Sequence, residues 1–186
     1  MAMKQLILIF SCYILLLSSC QSKENKAEAL IKDMVVQASE QTTSLDGYTP
    51  LQTSVTEAYN IPMNNPNCWN IALRIANMSA QNIQEWQANG DANRYATTEV
   101  LIKFLKKELQ DTISHLDQHQ LIGWNIQHTF KSKKQNGIES VENVRLISDP
   151  NFERVIAMEL LDVPQFQQAK HILQEVEQMT KEGYSY

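Results

Sequence analysis

Residues 122–137 read IGWNIQHTFKSKKQNG, and their periodicity decides the class of the fold. Trp124, Ile126, His128 and Phe130 alternate with Asn125, Gln127, Thr129 and Lys131. A period of two puts one set on a buried face and the other toward water, which predicts a half-buried strand. The run KKQNG at 133–137 predicts a turn, because an Asn-Gly pair readily supplies positive φ. ESVENVRLIS at 139–148 then reads as a second strand, SDPNF at 148–152 as another turn, and FERVIAMELL at 152–161 as a third strand. Three strands joined by tight turns make an antiparallel meander, and such a sheet needs a helical layer over its apolar face.

On either side the period changes. AEALIKDMVVQASEQ at 27–41 puts Leu30, Met34 and Ala38 four apart, on one face of a helix. Residues 42–66 carry Gly47, Pro50, Pro62 and Pro66, which predicts a loop holding one short helical turn near Thr56 to Tyr59. Asn65 or Asn67 is placed to cap a helix from Cys68 to Gln87, with Ile71, Ile75 and Met78 inward. NGD at 89–91 breaks it, and a further helix runs from Ala92 to about Leu116; so short a connection predicts an antiparallel pair. Pro164 opens a last helix that Gly183 ends. The expectation is an α+β fold: three N-terminal helices, a three-stranded antiparallel β-meander, and a C-terminal helix packing on the sheet. No phosphate-binding glycine motif is present, and five glycines in 186 residues leave little to build one from.

The N-terminus carries a different signal. MAMKQLILIFSCYILLLSS has one early lysine, an apolar run from Leu6 to Leu17 and a small-residue end, which reads as a secretion signal. About a dozen apolar residues fall short of the ~20 needed to span a bilayer. Leu17-Ser18-Ser19-Cys20 resembles the bacterial lipobox. The resemblance implies diacylation of the Cys20 thiol, cleavage before Cys20, and acylation of the new amino group. Two or three acyl chains hold a bilayer stably where one does not. The expected organisation is a signal peptide over 1–19, a lipidated tether over 20–26 (CQSKENK), and a single globular domain over 27–186. Cys12 leaves with the leader and Cys20 is consumed by lipid, so Cys68 remains as a lone thiol, read as a small buried hydrophobe beside Trp69.

The stretch IGWNIQHTFKSKKQNGIESVENVRLISDPNFERVIAMEL at 122–160, with the lipobox and YTPLQTSVTEAYNIPMNNP at 48–66, resembles small uncharacterised outer-membrane lipoproteins of Bacteroidetes. The resemblance implies an outer-membrane protein anchored by its lipid, facing the periplasm or the cell surface. It brings no assigned activity and no catalytic residues. In that phylum charged residues after the acylated cysteine accompany surface export, and Gln21-Ser22-Lys23-Glu24 fits in part. Asp111-Thr112-Ile113 matches the phylum's Asp-Ser/Thr-aliphatic glycosylation triplet and makes Thr112 a candidate site.

Sixteen basic against 21 acidic residues give a net charge of −5. A balance on that side excludes a general nucleic-acid binder. Asp111, His115 and His119 are four apart, so a continuous helix would bring all three to one face and offer two imidazoles to zinc or copper. The same residues equally suit a solvated polar face, and no cofactor is called for. His128, the one histidine on an apolar strand face, is either a hydrogen-bonded core residue or a catalytic base. Lys131, Lys133 and Lys134 crowd the first hairpin turn and are candidates for binding anionic lipid or glycan. Trp69, Trp86 and Trp124 lie within apolar patterns and read as core rather than as sugar platforms.

These readings converge on a lipid-anchored envelope protein, a non-enzymatic binding or accessory subunit that meets a protein partner or a glycan. One alternative is an envelope hydrolase or metal-dependent enzyme; another is a binder of a small apolar ligand in a cone-like cavity. A pocket joining His128 to a carboxylate or to Cys68 would favour the enzyme.

Overall fold

The alternation at 124–130 does form a strand, but among the described residues it is the second of four. The computed structural model describes residues 22–41, 46–133, 137–161 and 163–186. In chain order these give α1 (Lys23–Gln41), β1 (Asp46–Tyr59), α2 (Pro66–Asn89), α3 (Ala92–Ser114), β2 (Leu121–Lys133), β3 (Glu139–Ser148), β4 (Val155–Leu160) and α4 (Pro164–Lys181). The sheet is antiparallel throughout, in the order β1-β2-β3-β4.

The class is α+β, but the expected arrangement of three helices before three strands is wrong in both parts, and the C-terminal helix, expected on the sheet, packs its apolar face on α2 and α3. DGYTPLQTSVTEAY at 46–59 is strand β1, so it separates the first helix from the next two, and the helical turn expected near Thr56 to Tyr59 is extended chain. The proline that argued for a loop is accommodated because β1 lies on the sheet's edge, where one side of the strand needs no ladder partner. The register shifts between Pro50 and Gln52: Pro50 stands opposite Phe130 and Gln52 opposite Thr129. The extra residue reverses the parity of the strand, so Tyr48 and Pro50 face the same side as Thr53 and Val55.

Two buried clusters result. In the first, α1 lays Ala27, Leu30, Ile31 and Met34 against Ile126, Leu146, Val55 and Val144 of the sheet. Ser22 starts this helix by accepting the Asn25 amide on its hydroxyl. The second lies among α2, α3 and α4, around Cys68, Ile75, Leu109, Leu173 and Val176. The caps of the α2–α3 hairpin match the sequence signals. Asn65 accepts from the amides of Asn67 and Cys68, Gly90 takes the left-handed conformation after α2, and Asp91 caps α3.

Arg145 joins the two halves. Its guanidinium donates to the Met63 carbonyl (3.0 Å), to Asn64 Oδ1, to Asn125 Oδ1 (2.8 Å) and to Glu159 (3.3 Å). Glu159 is only 2% exposed, and Lys170 of α4 lies 3.6 Å from its other oxygen. One side chain of β3 thereby holds β2, β4 and the β1–α2 loop, whose Met63 carbonyl also receives the Trp69 indole (2.8 Å). Gly123 closes the same region: a Cβ there would lie 1.8 Å from the Ser148 carbonyl oxygen, so no other residue fits. Among the described residues no helix is long and apolar enough to cross a membrane.

Candidate functional site

His128 is 2% exposed on the face of β2 that α1 covers. Its neighbours come from elements far away in sequence. Thr53 stands opposite it in the β1–β2 register, and its Oγ1 lies 3.0 Å from Nδ1. Tyr48, brought to this face by the shift at Pro50–Gln52, puts its hydroxyl 2.9 Å from Nε2. Glu28 of α1 accepts the Thr53 hydroxyl at 2.7 Å.

Donor counting fixes the tautomer. Thr53 has one hydroxyl hydrogen and gives it to Glu28, so the contact at Nδ1 is donated by the ring. In a neutral imidazole Nε2 is then the acceptor, and Tyr48 donates to it. All three hydrogens point toward the carboxylate, in a chain Tyr48 to His128 to Thr53 to Glu28. Burial holds the His128 pKa below its ordinary value, with the Glu28 charge offsetting part of this. Burial, and then Glu28, push the Tyr48 hydroxyl up to about 12. Both groups therefore keep these protonation states at neutral pH.

The chain underlies one wall of an open groove of about 410 Å³ between α1 and β1. Asn25, Glu28, Ala29 and Lys32 line it from the helix, Tyr48 and Pro50 from the strand. His128 reaches the Glu28 carboxylate through the Thr53 hydroxyl, beneath the groove and not within its lining, whereas Cys68 lies in the other buried cluster. Burial raises the Cys68 thiol to about 11, so it stays protonated.

The other sequence candidates are dispersed. Helix α3 ends at Ser114, so His115 and His119 do not share a helical face. His115 caps that helix and its Nδ1 meets the Asp111 carbonyl oxygen at 2.7 Å. His119 is exposed in the turn that follows, and the Asp111 carboxylate faces Lys107 at 3.6 Å. Among the described residues no three His, Cys, Asp or Glu side chains gather as metal ligands. Thr112 is half-buried and donates to the Glu108 carbonyl within α3. Lys131 and Lys133 are exposed at the end of β2; Lys134 lies outside the described residues, as do Cys20 and the leader. Trp69 is buried and Trp124 half-buried, stacked on Phe152 at 5.7 Å with Lys23 over its ring. Trp86 departs from the core reading, being 45% exposed.

Sequence reasoning found His128 but not Tyr48, Thr53 or Glu28. The Thr- and Val-rich run at 53–56 was the available signal for β1, and the prolines outweighed it. No protein family, curated protein or solved structure matches the chain.

Proposed function

We propose that this chain is a lipid-anchored protein of the outer membrane, held through Cys20 and facing the periplasm or the cell surface, and that it acts as a non-enzymatic binding or accessory subunit. The anchor rests on the lipobox. The binding role rests on one observation, the saturation of His128. Its lone pair is taken by Tyr48 and its hydrogen by Thr53, so the imidazole holds Tyr48 in the groove wall instead of offering a base to a ligand. The rim is polar and of both signs, with Glu28 and Lys32 one helical turn apart and Asn25 beside them. That rim suits a polar or zwitterionic segment of an envelope partner.

The catalytic alternative keeps one observation in its favour: the relay ends on Tyr48, which lines the groove. It needs Tyr48 to act as a nucleophile that passes its proton to Nε2 of His128, the lone pair its hydroxyl already faces. Two experiments separate the readings. A photo-crosslinking residue at position 32 should give one discrete adduct in intact cells, and Ala29→Trp, which fills the groove, should remove it. No adduct, or an adduct indifferent to Ala29→Trp, contradicts the binding reading. Turnover of chromogenic esters or glycosides that disappears in Tyr48→Phe would establish the enzyme instead.

A further inference from the structure

At the tip of the α2–α3 hairpin, remote in sequence from the groove, Trp86 and Tyr95 stand with ring centroids 5.5 Å apart and planes inclined by 58°. The two rings form the corner of a pocket of about 200 Å³. Its remaining walls are amides and charges: Asn82, Asn89, Glu85, Asp91 and Arg94. Arg94 grips Glu85 through two bonds, Nε and Nη2 each at 2.8 Å, so the guanidinium charge is compensated while further N–H groups remain. Asn82 is 3% exposed and its amide nitrogen is spent on the Tyr95 carbonyl and Glu99.

We propose that this pocket binds a neutral pyranose, the terminal ring of a glycan, stacked on Trp86. A sugar ring has an apolar C–H face and an equator of hydroxyls. The aromatic corner answers the first by stacking, and the ring of amide, carboxylate and guanidinium groups answers the second with paired donors and acceptors. The volume admits one ring of this size. Glu85 compensates Arg94 and Asp91 adds a carboxylate whose Oδ1 accepts the Asn93 and Arg94 amides, so the lining disfavours an anionic ligand and suits a neutral one rich in hydroxyl donors. Trp86, 45% exposed where Trp69 is 5% exposed, leaves a ring accessible for such stacking. This site shares no residue with the α1–β1 groove and stands whether or not the groove binds a partner.

The test is saturation-transfer NMR on the detergent-solubilised full chain with glucose, galactose, mannose and N-acetylglucosamine. At least one sugar should give transfer strongest at the ring protons of one face. Trp86→Ala should weaken binding tenfold or more, Trp86→Phe should keep it within a few-fold, and Arg94→Lys should weaken it while leaving the stacked face unchanged. Circular dichroism identifies any variant that has unfolded; Glu85→Gln, on the exposed side of the pocket, then replaces it and should also weaken binding. Absence of transfer from all four sugars, or equal binding by wild type and folded Trp86→Ala, overturns the proposal.

Discussion

His128 sits in a buried site only because each of its ring nitrogens has a partner, and that dependence makes it testable. Thr53→Val removes the acceptor of Nδ1–H with little change of volume. A buried donor left without a partner costs about 1–3 kcal/mol, so the melting temperature should fall by about 2–4 °C for each kcal/mol. The pH dependence has a definite sign. The folded pKa of His128 lies below its unfolded value of about 6.5, so at acid pH the unfolded chain binds the extra proton first. The stability that His128 contributes is complete above about 6.5 and is lost as pH falls toward the lowered folded value. A protonated ring would also bring a hydrogen at Nε2 against the Tyr48 hydroxyl, which must then reorient. Urea melts of wild type and His128→Asn between neutral and mildly acid pH should show this slope in the first and not in the second. His128 itself was legible in sequence because it falls in a strict alternation on β2. Its partners were not, since Thr53 and Tyr48 are 75 and 80 residues away and meet it only through strand pairing.

At the scale of elements, what could be read depended on how local the cause was. The helices α2 and α3 are written in their own caps, Asn65, Gly90 and Asp91, so the hairpin emerged close to its observed bounds. Strand β1 was lost because its prolines and its register shift break the period by which strands are recognised, while what permits them, a place on the sheet's edge, is a property of the assembled sheet. Arg145 and Glu159 were invisible for a similar reason: they meet only when β3 and β4 pair in register. The energetics of that contact are asymmetric. Arg145→Met leaves the Glu159 charge buried with only Lys170 at 3.6 Å, and removal of one partner of such a pair costs about 3–5 kcal/mol. Replacing Arg145 and Glu159 together by methionine should cost less than Arg145→Met alone. Chemical denaturation of the two variants checks the ordering, and equal losses would mean that the pair's charges are not what holds the β1–α2 loop.

Seen as a whole molecule, the chain puts its two candidate sites on different parts of the fold. The groove is formed by α1 and the edge of the sheet, and the aromatic pocket by the far turn of the helical hairpin. Helix α1 begins at Lys23, three residues after Cys20, and an extended chain spans at most about 3.5 Å per residue. A lipid on Cys20 would therefore hold the first turn of α1, and with it Asn25 at the groove's end, within roughly 20 Å of the headgroups. In that arrangement the groove meets partners at the membrane surface. None of this holds unless Cys20 is acylated, so the most direct measurement is metabolic labelling with an alkyne fatty acid, followed by mass spectrometry of the mature N-terminus and fractionation of the envelope. A lipid on Cys20 gives a labelled protein that begins at Cys20 and stays in the outer membrane, and a Cys20→Ser form that is unlabelled and no longer membrane-bound. An unlabelled wild-type protein, or a Cys20→Ser form processed and retained as the wild type is, would contradict it.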